Sequence, residues 1–127
     1  MTIRAMYPRL VVGDAAAAID FYVAVFGAKE VPPRHTGEDG KVIHAELRFG
    51  DFVVAVKDED DGHPTPTRLG GSPVVMALQV DDPDAVAEAM LKGGATVVFP
   101  VADHDYGHRG GRLADPWGHL WMIFKPL

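Results

Sequence analysis

Residues 10–28, LVVGDAAAAIDFYVAVFGA, hold a short apolar strand, a capping aspartate, an alanine-rich helix and a glycine stop. Asp14 suits the N-cap, because its carboxylate accepts hydrogen bonds from the free N–H groups of a first helical turn. Gly27 suits the end, where a left-handed backbone closes the helix. Ile19, Tyr22, Val23 and Phe26 fall at helical spacing on one face. The same grammar returns at residues 74–95, VVMALQVDDPDAVAEAMLKGGA. There Asp82 caps, Pro83 takes the first helical position, where its missing N–H costs nothing, and Gly94 stops the helix. Val86, Ala89 and Met90 share a face of this second helix. Thirteen positions separate Asp14 from Gly27, and thirteen separate Asp81 from Gly94. Matched spacing of this kind marks an internal repeat.

Outward from each helix lie strand-like segments. After the first come Lys29 to Val31, Val42 to Phe49 and Phe52 to Val56, the last two joined by a Gly50-Asp51 turn. After the second come Thr96 to Phe99, Arg112 to Ala114 and His119 to Phe124, with Asp115-Pro116-Trp117-Gly118 as the turn. The order is strand, helix, strand, strand, strand, given twice. Lys57 to Ser72, rich in Asp, Gly, Pro and Thr, has the composition of a linker. Val101 to Gly111 is the least regular segment and is expected to be a loop.

Composition bounds the function. A chain of 127 residues, 47% hydrophobic and 24% charged, suffices for one domain with a real core. It has no cysteine, which excludes disulfides and thiolate zinc sites and fits a reducing compartment. No apolar leader marks Met1 to Met6, and no run approaches the roughly 20 apolar residues that span a bilayer. A cytoplasmic protein without a membrane partner is therefore expected. The net charge of −6 and scattered basic residues argue against a nucleic-acid partner. There is no glycine-rich loop opening a helix for phosphate, and no Gly-x-Ser-x-Gly elbow.

In its doubled βαβββ order, its Asp115-Pro116-Trp117-Gly118-His119 turn and the Gly-Ala after each helix, the chain resembles the vicinal-oxygen-chelate superfamily. That group holds glyoxalase I, extradiol dioxygenases, fosfomycin-modifying transferases and bleomycin-resistance binding proteins. The resemblance runs from about Tyr7 to Phe124. His44-Ala45-Glu46-Leu47, and Tyr106-Gly107-His108-Arg109 through to Trp121, are most similar to the small glyoxalase/bleomycin-resistance-like branch. The resemblance implies an α+β fold: two βαβββ modules forming a cup-shaped eight-stranded mixed sheet with helices outside. One domain, 1–127, would comprise module one at about 7–57, a linker at 58–72 and module two at about 73–125. It also implies a homodimer.

Metal-dependent members of that superfamily place one ligand on each of four strands. By resemblance these positions are Tyr7, Glu46, Val75 and Met122. Only Glu46 is a competent hard ligand, and catalytic divalent sites need about three. No metal and no cofactor are expected. A rebuilt site using His44, Glu46 and a loop histidine such as His104 or His108 is the alternative, since imidazole and carboxylate suit zinc, nickel or iron.

If Glu46 and Met122 mark the inside of the cup, strand alternation names its lining. The candidates are Tyr7, Arg9, His44, Glu46, Arg48, Val75, Ala77, Gln79, Leu120, Met122 and Phe124. His108 from the loop and Trp117 from the turn complete the candidate ligand-binding set. Leu10, Val12, Leu47, Phe49, Met76, Leu78, Trp121 and Ile123 would pack under the helices. The bland readings stand beside these. His44 and Glu46 could pair with Arg48 on an exposed strand face, and Met122 and Phe124 could be plain core. Trp117 is either an aromatic lid, a dimer contact or turn packing. Histidines 35, 63, 104, 108 and 119 lie on or beside loops, where solvated histidine is the default.

Apolar walls with a few polar groups fit a small organic ligand. The expected function is non-catalytic sequestration of a drug-like or natural-product molecule, as in antibiotic resistance. Acidic net charge favours a cationic or neutral ligand at long range. Two alternatives are a metal-dependent lyase, isomerase or dioxygenase using Glu46 with relocated histidines, and a metal-free enzyme with His44 or Glu46 as general base.

Overall fold

The computed structural model describes residues 1–127 and divides into two compact units, Met1–Thr65 and Pro66–Leu127. In the first unit the elements are β1 (Arg9–Val12), α1 (Ala15–Phe26), β2 (Lys29–Thr36), β3 (Val42–Phe49) and β4 (Phe52–Asp58). They form a four-stranded sheet in the order β1-β4-β3-β2, with β1 parallel to β4 and the other pairs antiparallel. The second unit holds α2 (Pro66–Leu69), β5 (Val75–Gln79), α3 (Pro83–Lys92), β6 (Thr96–His104), β7 (His108–Ala114) and β8 (Leu120–Pro126). Its sheet has the matching order β5-β8-β7-β6, again with one parallel pair. The βαβββ order thus occurs twice, and the eight strands pair as two sheets of four.

Helix α1 starts where Asp14 Oδ1 accepts the Ala17 N–H at 3.1 Å, and it ends at Gly27 with φ of 68°. It buries Ala15, Ala18, Ile19, Phe21 and Tyr22. Val23, expected on that face, is instead exposed. Ala15, Ala18, Ile19 and Tyr22 form the i, i+3, i+4, i+7 stripe that is buried, and Val23 lies at its edge. Tyr22, Phe26 and Phe49 then form a ring cluster, with centroids 5.5 to 6.1 Å apart, between α1 and β3. Asp58 ends β4 and ties three elements: its carboxylate accepts the Ala15 and Val42 N–H groups, both at 2.7 Å. It was expected to begin the linker.

Helix α3 is capped by Asp82, which accepts from Ala85 N–H at 3.1 Å, and begins on Pro83. Gly94, at φ of 104°, takes the left-handed turn beyond its end. Pro83, Ala87 and Met90 are the buried side, while Val86 and Ala89 are half-buried. On the sheet, Leu113, Trp121 and Ile123 are buried beneath this helix. Met76 and Leu78, expected there too, are half-buried, since α3 packs chiefly on β6, β7 and β8.

Three expectations are corrected. Val101 to Gly111 is a β-hairpin: β6 continues to His104 and β7 begins at His108. Gly110 and Gly111 are close-approach positions, since a Cβ on Gly110 would lie 2.7 Å from Ile123 O and one on Gly111 would lie 2.8 Å from Phe99 O. Strand β2 runs on to Thr36, and part of the expected linker is the short helix α2.

Candidate functional site

The pairing register of the second sheet sets out its face opposite α3 as rows of side chains. Ala77, Met122, Arg112 and Phe99 are neighbours across β5, β8, β7 and β6. The next row is Gln79, Phe124, Gly110 and Ala102, and beyond it His108 pairs with His104. Alternation is the cause, since residues two apart share a face. An open depression of about 90 Å³ lies on this face. Phe99, His104, Tyr106, His108, Arg112, Met122 and Phe124 line it, over the bare backbone of Gly110 and Gly111.

Its rings are ordered against one another. Tyr106 stacks on His104, with centroids at 5.1 Å and planes 4° apart, and His108 stacks on Phe124 at 4.8 Å. Tyr106 also meets His108 edge-on at 5.5 Å. His104 Nε2 lies 3.1 Å from the Gly110 carbonyl oxygen, which fixes the imidazole over the hairpin. The Arg112 guanidinium lies 5.6 Å from the Phe99 ring centroid, a cation–π distance. Its Nε is buried and has no hydrogen-bond partner.

On the opposite side of β7, Arg109 is fully committed. Its guanidinium donates two bonds of 2.8 Å to Asp84 on α3 and one of 3.0 Å to Asp103 on β6. Those bonds hold the Asp84 carboxyl below its ordinary range and raise the guanidinium. They brace the hairpin that carries the ring cluster.

The first sheet presents its own polar face. Arg9, Ala55, Glu46 and Val31 are neighbours across β1, β4, β3 and β2. His44 and His35 face each other with rings 6.2 Å apart, and Arg9 Nη2 donates to Ile43 O at 3.0 Å. Tyr7 and Arg48 are exposed. Lys57, on the same side of β4 as Ala55, is buried and donates to Asp60 at 2.7 Å. That bond, with one to His63, keeps the Asp60 carboxyl well below the usual carboxylate range.

Of the sequence-named candidates, His108, Met122 and Phe124 meet in the depression, and Val75, Ala77, Gln79 and Leu120 extend the same sheet face. Arg9, His44, Glu46 and Arg48 belong to the first sheet's face, and Tyr7 precedes β1. Trp117 does not line the depression. It sits in the β7–β8 turn, where Asp115 accepts its N–H at 3.0 Å and its carbonyl accepts from Thr67 at 3.3 Å. Sequence reasoning missed Phe99, Tyr106 and Arg112 as lining residues. Alternation from Phe124 through the Gly110 pairing would have found Arg112 once the hairpin was seen. The four positions marked for metal by resemblance do not fit a metal: Val75 and Met122 bring no oxygen or nitrogen donor.

A family model described as Glyoxalase/Bleomycin resistance protein/Dioxygenase superfamily matches residues 4–123. An uncharacterized protein of Mycobacterium bovis is 47% identical, over 97% of this chain and 84% of its own. Among solved structures, TioX from Micromonospora sp. ML1 is 27% identical with a TM-score of 0.70, covering 97% of this chain and 96% of that one. The fosfomycin resistance protein FosX from Mesorhizobium loti shares the fold at 19% identity and a TM-score of 0.73, over 99% and 95% of the two chains. No helix of the chain is long and apolar enough to cross a membrane.

Proposed function

Since the chain belongs to the glyoxalase/bleomycin resistance protein/dioxygenase superfamily, we propose that it captures a small planar aromatic molecule, drug-like or natural-product in kind, without metal and without turnover. The fold hosts several chemistries, so the site must carry the argument. The observation that carries it is the ring cluster on the second sheet. Tyr106, His104, His108 and Phe124 are already stacked pairwise in an open depression floored by glycine backbone.

Flat rings beside a methionine favour another flat ring by offset stacking and sulfur–aromatic contact. A depression of about 90 Å³ suits one ring or ring edge, with the rest of the ligand outside. Capture of this kind confers resistance by stoichiometric removal, which needs no nucleophile or base. Its proposed setting is the cytoplasm, with the protein as a homodimer.

The test is equilibrium dialysis against planar aromatic natural products, bleomycin included, followed by mass spectrometry of the recovered compound. Saturable one-to-one binding with the compound unchanged supports capture. A converted compound makes the protein an enzyme, and absence of binding across the panel overturns the reading.

A further inference from the structure

We infer that the ligand of the second sheet's depression carries an oxyanion, a carboxylate or a group of like chemistry, which seats on Arg112. This rests on the aromatic capture proposed above and adds the ligand's charge. Arg112 stands mid-strand on β7 between Met122 and Phe99, both apolar. Its Nε–H is buried without a partner, and no carboxylate forms an ion pair with it. Arg109, three positions away on the other side of the strand, binds two carboxylates, and Arg34 binds Glu30 at 2.7 Å.

A guanidinium held among rings without a counter-charge loses hydration and gains little in return. A cation–π contact with Phe99 offsets part of that cost. The planar fork matches a carboxylate bidentately through its two terminal Nη groups, while the Nε–H stays buried. The neighbouring His108–Phe124 stack supplies the surface for the ring that bears the anion. The net charge of −6 opposes an anion at long range. Exposed charges, however, are screened beyond about 8 Å at physiological salt, whereas the contact with Arg112 is direct. The local guanidinium prevails.

The experiment is calorimetric titration of the full chain with 2-naphthoate and with 2-naphthamide, the same ring system with and without the charge. Wild-type protein should bind the naphthoate at least about tenfold more tightly. Arg112→Gln should bring the two affinities within about twofold of each other while retaining naphthamide binding. Should Arg112→Gln lack a native circular-dichroism spectrum, Arg112→Met, apolar and of similar reach, takes its place. Equal wild-type affinities, or a preference that survives loss of Arg112, overturn the oxyanion inference and leave aromatic capture standing. Failure of both compounds to bind overturns the capture reading and this inference with it.

Discussion

The carboxylate of Asp115 accepts the indole N–H of Trp121 at 2.9 Å, joining the β7–β8 turn to the core of the second unit. Its other oxygen accepts the Trp117 and His119 N–H groups, each at 3.0 Å. The Asp115 and Trp121 side chains are almost fully buried. The Asp-Pro-Trp-Gly-His motif is therefore architectural here: it folds the turn and satisfies a buried indole. Replacing Asp115 with alanine removes the carboxylate that accepts all three N–H groups and should cost about 2–4 kcal/mol. Urea denaturation followed by tryptophan fluorescence measures this, and a loss well under 1 kcal/mol (about the scatter for a surface change) would contradict the assignment.

The glycines of the β6–β7 hairpin give a sharper contrast. A Cβ at Gly110 would sit 2.7 Å from both Ile123 O and Phe124 Cβ, whereas at Gly107 nothing lies within 4 Å. Gly107→Ala therefore pays only for its positive φ, about 1 kcal/mol. Gly110→Ala must move the β8 backbone, at about 1–3 kcal/mol, and should also weaken aromatic ligand binding by displacing Phe124. Equal stability losses in the two variants, with binding unchanged, would show that the close approach has no consequence.

These particulars explain what was legible in the sequence. Asp14, Asp82 and Gly27 are local signals, because a cap acts within one turn of its own position, and they stand where the sequence places them. The alternation in β3 and β8 is equally plain, as each strand has one face buried under a helix. The β6–β7 hairpin was opaque because Gly107, Gly110 and Gly111 look like chain breakers. At Gly110 and Gly111 the reason is tertiary: neighbouring backbone fills the space of a Cβ. Phe99 was opaque for another cause. Register shifts fall on both sides of it, between Val97 and Phe99 and between Phe99 and Ala102, so a period of two cannot be carried through β6. Asp58 binds two N–H groups from residues 43 and 16 positions away, which no local pattern announces.

Acid should loosen the second unit through Asp84. Its hydrogen bonds from Arg109 lower its folded pKa below the ordinary 3.8. A depressed carboxyl adds stability that is present above the unfolded value and is lost as pH falls through the folded one. Wild type should therefore exceed Asp84→Asn in thermal midpoint by a constant margin at neutral pH, and the margin should shrink below 3.8. A margin independent of pH down to the acid transition would exclude the Arg109 pair as its source. Asp60, lowered chiefly by Lys57, predicts the same sign in the first unit.

Met122 pairs with Arg112 across β8 and β7, both at the depression. Met122→Glu sets a carboxylate where an unpaired guanidinium already stands. In an ordinary apolar wall such a change costs several kcal/mol, because a lone buried charge loses its water. Beside Arg112 the new carboxylate gains a partner, so the stability loss should stay under about 2 kcal/mol. Binding should suffer far more, since the internal carboxylate occupies the place of the ligand's anion: 2-naphthoate affinity should fall by at least about tenfold. Naphthamide, which needs only the rings, should lose less. Chemical denaturation and calorimetry on one preparation separate the two effects. A folded variant that still prefers 2-naphthoate as wild type does would show that Arg112 is not where the anion lands.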